Sequence, residues 1–225
     1  MAHVLDNIFW NSLAGPHAKY AVGTLDARRY ASGISPIVGF ATAQQPNLEA
    51  LASFCSSGEQ FYCSNWTGDT RPGWRVDVES TMFRMVWAGI APAMDEAAEA
   101  VQLDQQHAAA ALELATLTRP GPFGPRTIEL GDYFGCFVGP RLVAMAGERM
   151  HAGGFREISG VCTHPDFQGQ GFARRLMVKL IGRQTKRGET PFLHVMRDNV
   201  RAHRLYKRMG FRNYSEPAVR VISRC

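Results

Sequence analysis

A glycine-rich turn between a predicted strand and a predicted helix constrains the fold of this chain most. The segment FQGQGFARRL, residues 167–176, places Gly169 and Gly171 directly before a helix-forming run with Arg174 and Arg175. In such a turn, backbone N–H groups point towards a common anion, and the dipole of the following helix adds about half a positive charge. The turn therefore predicts either a pyrophosphate site, to which both arginines could add contacts, or a tight packing corner between strand and helix.

Two common phosphate-binding loops do not match this turn. A P-loop requires GxxxxGK followed by Ser or Thr, and no lysine occupies that place. A dinucleotide-binding turn requires GxGxxG, and Arg174 stands where the third glycine would be. A different kind of phosphate loop remains to be identified.

The residues around the turn predict an α/β layer. The runs YFGCFV and RLVAMAGERM, separated by Gly139-Pro140, predict a hairpin, and FREISGVCTH predicts a third strand. Apolar residues recur with helical spacing over 171–186, whereas TPFLHVM is typical of a short buried strand. The segment NVRAHRLYKRM predicts a helix that ends at Gly210. The glycine turn thus lies at the centre of the layer.

The chain divides near Ala93 into a mixed region, residues 1–93, and a more regular one, residues 94–225. The first region predicts a short helix at 47–54 and strands in QFYCSNW and WRVDVESTMFRMVWAG. In the second region, Asp104 stands as the N-cap of a helix predicted over 105–117, which RPGPFGPRT ends. We therefore predict two parts with a boundary at about residue 93.

Two separate motifs in the second region resemble those of one family. Residues 168–173, QGQGFA, resemble the Q/R-x-x-G-x-G/A signature of the GNAT superfamily of N-acetyltransferases, whose loop cradles the pyrophosphate of coenzyme A. Residues 199–211, NVRAHRLYKRMGF, resemble the N-x-x-A-x-x-L-Y-x-x-x-G-F helix that follows in that family. The resemblance covers roughly residues 98–225 and implies a GNAT fold, a mixed central sheet flanked by helices. Residues 1–93 are then either a degenerate half-copy of that fold or an unrelated cap.

The resemblance implies an acetyl-CoA-dependent N-acetyltransferase that moves the acetyl group directly to a primary amine. It makes acetyl-CoA the co-substrate and assigns it eleven residues. These are Val161, Cys162, Thr163, Gln168, Gly169, Gln170, Gly171, Phe172, Ala173, Arg174 and Asn199. The C-terminal half is also similar to the glycine acyltransferase-like branch, so longer acyl donors stay open.

Catalytic roles also follow from the resemblance. Tyr206 would donate a proton to the sulfur of the departing coenzyme, and Asn199 lies seven positions earlier, about two helical turns, so both face one cleft. Glu157 would accept the amine proton, and we expect its burial beside Phe155 and Ile158 to raise its pKa towards neutrality. The alternatives are a packing tyrosine and a solvated or ion-paired glutamate.

Charge and composition limit the partners. Residues 151–225 carry fifteen Lys and Arg against five Asp and Glu, a net of +10, and the first 150 residues carry a net of −5. No stacking aromatics or helix-turn-helix pattern accompany the basic residues, so we expect no nucleic acid. The sequence contains no apolar run of about 20 residues, no secretory leader pattern, and five scattered cysteines without metal spacing. We expect a cytoplasmic protein with free thiols, no metal and no membrane contact.

The acceptor stays open at this point. A small amine, an amino-acid-like molecule and a protein amine all fit the pattern, and the oligomeric state cannot be read from it. The main rival to catalysis is an acetyl-CoA-binding sensor or structural module without turnover.

Overall fold

Two β-sheets and five α-helices make up the computed structural model, which describes residues 3–225. The strands are β1 (Ala21–Gly23), β2 (Ala27–Tyr30), β3 (Val38–Phe40), β4 (Gln60–Ser64), β5 (Trp74–Trp87), β6 (Val101–Gln102), β7 (Tyr133–Val138), β8 (Arg141–Ala152), β9 (Phe155–Thr163), β10 (Thr190–Met196), β11 (Phe211–Ser215) and β12 (Ala218–Arg224). The α-helices are α1 (Ile8–Ala14), α2 (Leu48–Ala52), α3 (Ala108–Thr118), α4 (Phe172–Lys186) and α5 (Val200–Arg208). Short 3₁₀ turns precede several of them.

The larger sheet has nine strands and is mixed. Its order is β4-β12-β5-β10-β9-β8-β7-β6, and β11 pairs with β5 beside this path. The hairpin β7–β8 turns through Gly139-Pro140, with Val138 opposite Arg141, and β9 and β10 run parallel. These elements agree with the predicted order of hairpin, strand, glycine turn, helix, strand and helix, so the mixed α/β fold is confirmed.

The first part of the chain repeats this order in a shorter form. The order there is helix α1, the antiparallel strands β1-β2-β3, helix α2 and then β4. Ile37, before β3, forms a parallel bridge to Tyr62 of β4. The same order runs from α3 through β7-β8-β9 and α4 to β10. This repetition favours a half-copy of the fold over an unrelated cap.

The sheet continues across the division near Ala93. Strand β5, from the first part, pairs with β10 of the second part, and β12, from the second part, pairs with β4 of the first. Each part thus completes the sheet of the other. The last strand of the first part, β5, lies beside β10, and the last strand of the second part, β12, lies beside β4. The division at residue 93 stays a prediction about the chain's organisation.

Helix α4 covers the sheet next to β8 and β9. Its buried face consists mainly of Leu176, Met177, Leu180 and Ile181, each at most 2% exposed. This is the apolar stripe that the helical spacing predicted, and it anchors the glycine turn at the start of the helix.

Residues 3–225 contain neither a membrane-spanning helix nor a cluster of potential metal ligands. None of the helices there combines the length and apolarity needed to cross a bilayer. No three His, Cys, Asp or Glu side chains in the same range gather as a metal ion requires. All five cysteines are free thiols, and only Cys225 is exposed.

A contacting pair of histidines predicts how stability depends on pH. Burial lowers the pKa of His17 to about 3, helped by the charge of His151, and burial lowers that of His151 to about 4. The folded state then binds fewer protons than the unfolded state between pH 6.5 and 4, so stability falls as pH decreases through that window. We expect the free energy of unfolding in urea to drop between pH 7 and pH 5 by about 2 kcal/mol for His17 and by less for the half-buried His151. An unchanged value at pH 5, where most carboxylates are still charged, would contradict this.

Candidate active site

The glycine turn leaves open space in front of α4. Gly169 and Gly171 have φ values of +82° and +80°, in the left-handed region that favours glycine. A Cβ added to either would meet no atom within 4 Å. Close packing therefore does not explain these glycines, and the packing-corner alternative loses its support. The 15-residue α4 begins directly after Gly171, and no side chain caps its first-turn N–H groups.

Strands β9 and β10 separate just before the turn. Their parallel pairing covers three residue pairs and ends at Glu157 opposite Phe192. Beyond that point β9 continues beside β8 to Thr163, whereas β10 continues beside β5 to Met196. Along the edge that faces β10, backbone groups of β9 after Glu157 are therefore free of a strand partner within residues 3–225.

The end of β9, the glycine turn and α5 line a cleft of about 510 Å³. This volume is in the range of sites that bind small molecules. The predicted site residues in its wall are Val161, Cys162, Thr163, Gln168, Gly169, Gly171, Phe172, Ala173, Arg174, Asn199 and Tyr206. Gln170 is exposed and Glu157 is buried, and neither lies in the wall.

Asn199 directly precedes α5 and lines the cleft. Its side-chain oxygen accepts a hydrogen bond from the N–H of Ala202 at 3.1 Å, which makes it the N-cap of that helix. Its amide NH₂ group remains as a donor. The position suits the predicted contact with the pantetheine arm, which stays a prediction.

Tyr206 lies on the inner side of α5, only 8% exposed and packed edge-on against Phe211. Burial, with a smaller effect from Cys162, raises the pKa of Tyr206 to about 12. A phenol in this state stays protonated at neutral pH and keeps its O–H as a donor. Burial also raises the pKa of the Cys162 thiol to about 11, so this cysteine is a neutral part of the wall.

The expected raised pKa of Glu157 is wrong. Burial alone would raise it, but the charge of Arg149 and hydrogen bonds from His194 and Arg149 outweigh burial and hold the pKa far below its usual range. Arg149 Nε and Nη2 lie 2.9 and 2.8 Å from the two carboxylate oxygens.

His194 links Glu157 to a second arginine. Its Nδ1 lies 2.8 Å from Glu157 Oε1, and Arg84 Nε donates to its Nε2 at 3.0 Å. His194 is therefore the neutral tautomer that donates through Nδ1. With both oxygens occupied and only 1% exposure, Glu157 is in an environment that disfavours the base role, which stays a prediction.

Ion pairs occupy the two arginines at the start of α4. Glu96 pairs with Arg174 through both guanidinium Nη atoms, and Glu99 pairs with Arg175. A contact of either arginine with phosphate therefore requires that it leave its carboxylate partner, and the predicted contact of Arg174 with the cofactor stays a prediction. Asp95, Glu96 and Glu99 of the preceding loop pair with Lys179, Arg174 and Arg175, so they offset part of the basic charge at this end of α4.

Removing Glu96 should strengthen binding of a polyphosphate in the cleft. The Arg174–Glu96 pair is solvent-accessible and therefore weak. Glu96 competes with a bound phosphate for Arg174, which lines the cleft, whereas Arg175 does not line it. We expect Glu96→Gln to lower the Kd of acetyl-CoA by about threefold at low salt and less at high salt. Glu99→Gln is the matched control, because Arg175 lies outside the cleft wall. Equal affinities of Glu96→Gln and wild type would reject this competition.

The end of α3 forms a further wall of the cleft, which the sequence did not predict. Thr118, Arg119 and Pro120 line the cleft. Arg119 has φ +49°, and its N–H closes α3 by donating to Ala115 O at 2.8 Å. Glycine is the usual residue at such a helix end, and another L-residue there costs about 1–2 kcal/mol. The proline-rich RPGPFG segment was a signal for a functional loop, but it does not reveal which wall the loop joins.

Comparisons with known proteins agree with this architecture. A solved structure of a protein from the GNAT family of Novosphingobium aromaticivorans is 32% identical, and the match covers 100% of both chains with a TM-score of 0.92. This chain belongs to the GNAT family. Residues 133–221 of this GNAT protein match the family described as FR47-like protein. Its membership supports acyl-CoA-dependent acyl transfer as its general chemistry.

Two more distant structures share the fold alone. A GCN5-related N-acetyltransferase from Kribbella flavida is 14% identical with a TM-score of 0.63, covering 96% of this chain and 94% of its own. A GCN5-related N-acetyltransferase-like protein from Streptococcus suis is 14% identical with a TM-score of 0.61, covering 97% and 92%. None of the curated proteins matches the sequence.

Proposed function

We propose that this GNAT protein transfers an acetyl group from acetyl-CoA directly to a primary amine. The observation that carries the proposal is one cleft with two different ends. At one end lie the left-handed glycines and the N-terminus of α4, and at the other lie Tyr206 and the end of β9 that has no parallel partner. The first end suits a pyrophosphate and the second suits a thioester.

The residues of the proposed phosphate end act through backbone and charge. The N–H groups of the turn from Gln168 to Gly171 and of the first turn of α4 would bind the pyrophosphate oxygens, and Arg174 would join them when it leaves Glu96. Because Gly169 and Gly171 have no side chains, the space in front of them is open to a coenzyme phosphate. A Cβ at either position would occupy that space.

The residues of the proposed transfer end act on the thioester. Free backbone N–H groups of β9, around Val161 to Thr163, would polarise the carbonyl. The amine nitrogen bonds to the acetyl carbon, the carbon–sulfur bond breaks, and Tyr206 gives its proton to the sulfur. The proton lost by the amine passes to solvent, from which Tyr206 is reprotonated.

Titration calorimetry with thiol detection tests this function. We expect acetyl-CoA and CoA to bind purified protein with micromolar Kd, ATP to bind far more weakly, and CoA release to depend on an added amine. Failure of a well-folded sample to bind acetyl-CoA would reject the proposal. Binding without turnover towards any amine would favour the alternative, a sensor or structural module that uses the same cleft.

A further inference from the structure

We propose that Arg201, at the start of α5, binds the 3′-phosphate of coenzyme A, so that the protein distinguishes acetyl-CoA from its 3′-dephospho form. The inference rests on the proposed function and deepens it by naming the residue that recognises the third phosphate of the donor. It follows from the charges in the cleft wall and from the hydrogen bond that holds Arg201 beside the glycine turn.

Coenzyme A carries its phosphates in two places. The pyrophosphate suits the glycine turn and the uncapped N–H groups of α4. The 3′-phosphate is a monoester on the neighbouring ribose, and such a group carries between one and two negative charges at neutral pH. The N-terminus of α4 supplies only about half a positive charge, which the pyrophosphate already uses. A specific site for the 3′-phosphate therefore needs a further cation.

Four arginines line the cleft, and no Asp or Glu of residues 3–225 does. The arginines are Arg119, Arg174, Arg201 and Arg208. Arg174 is already paired with Glu96. The other three form no ion pair within the described part of the chain and are exposed. They are the candidates for the 3′-phosphate.

Of these candidates, Arg201 is bonded to the glycine turn. Its Nη1 donates to Gln168 Oε1 at 3.1 Å, and Gln168 is the first residue of the motif in that turn. Arg208 lies seven positions further along α5, about two turns or 10 Å away and close in sequence to Tyr206 at the transfer end. Arg119 belongs to the wall at the end of α3. Arg201 is thus the free cation held at the proposed pyrophosphate position.

The bond to Gln168 orients the guanidinium of Arg201 without neutralising it. An amide oxygen is a neutral acceptor and occupies one N–H donor, so the positive charge and the other donors remain. A guanidinium binds two oxygens of a phosphate through parallel hydrogen bonds. Because Arg201 is exposed, this contact costs little desolvation and should weaken as the ionic strength increases.

A pair of ligands that differ by one phosphate tests this inference. Titration calorimetry compares acetyl-CoA with acetyl-3′-dephospho-CoA on the wild-type protein. Both ligands contain the pyrophosphate, the pantetheine arm and the thioester, so the difference in affinity reports the 3′-phosphate. We expect acetyl-CoA to bind about 10-fold more tightly at low salt, with a smaller ratio at high salt.

Arg201→Gln tests the residue responsible. It removes the charge, so we expect the preference for acetyl-CoA to shrink to within about twofold, with less than about a twofold change in the Kd of the 3′-dephospho ligand. A residue that only shaped the turn through Gln168 would instead weaken both ligands equally. Arg204→Gln is the matched control, because Arg204 is an exposed arginine of the same helix outside the cleft wall. It should keep the preference.

The outcomes separate the two proposals. Three results overturn the role of Arg201 and leave the acetyltransferase function standing: equal affinity of the wild type for both ligands, a preference that persists in Arg201→Gln, or an equal loss for both ligands in that variant. A preference that Arg204→Gln or Arg208→Gln removes as fully as Arg201→Gln overturns it as well. Failure of the wild type to bind either ligand rejects the proposed function itself.

Discussion

Gly171→Glu is expected to weaken acetyl-CoA binding by at least about 100-fold. The new side chain enters the open space in front of α4, where a Cβ meets no atom within 4 Å. Its carboxylate would occupy the proposed pyrophosphate position beside the helix N-terminus and repel the phosphates that remain. Titration calorimetry of both proteins with acetyl-CoA measures the effect.

Gly188→Glu provides the matched control for this variant. Gly188 follows the other end of α4 and has φ +73°, and a Cβ added there would also meet no atom within 4 Å. Both substitutions introduce the same residue and the same left-handed strain, about 1–2 kcal/mol, but only one lies in the cleft. Similar melting temperatures with wild-type binding in Gly188→Glu would assign the effect to the cleft. Wild-type affinity in Gly171→Glu would remove the glycine turn from the binding site.

Tyr206→Phe is expected to lower kcat by about 10²- to 10⁴-fold, the usual contribution of a general acid. Only the hydroxyl is lost, and the ring keeps its packing against Phe211. The Kd of acetyl-CoA should therefore change less than about twofold, since the rest of the cleft wall is retained. Stopped assays of CoA release and calorimetry on the same samples give the two values.

The pH profile and a second tyrosine support the interpretation of this variant. With its pKa raised to about 12, Tyr206 should stay protonated throughout the assay range. Below about pH 10, kcat should therefore not decrease through ionisation of this acid. Tyr214→Phe is the control, because Tyr214 is partly exposed and its hydroxyl contacts Asp6 at 2.7 Å. Equal kcat for Tyr206→Phe and wild type would exclude Tyr206 as the acid. A sensor would show no turnover in either protein.

Local sequence determined the elements around the cleft. The apolar spacing over 171–186, the stop signal at Gly210 and the turn Gly139-Pro140 each act within a few residues, so the pattern identified α4, α5 and the hairpin correctly. The paired glycines likewise predicted the turn that precedes α4. These features depend on backbone geometry and side-chain spacing, which a sequence displays directly.

Charge partners depended on the tertiary structure. Glu157 was expected to have a raised pKa because its neighbours in sequence are apolar, but Arg149 and His194 reach it across adjacent strands. Arg174 likewise meets Glu96, 78 positions earlier in the chain. The energy of such a pair depends on distance and burial, and neither follows from the spacing along the chain.

By itself, the sequence determined the glycine turn, the helix after it and the motif that marks the family, because these are local. Only the tertiary structure decided that the last strand of each part completes the other's sheet and that Arg119 at the end of α3 faces the cleft. Both depend on strands and loops from distant parts of the chain that pack together, and the free energy of that packing belongs to the folded molecule as a whole.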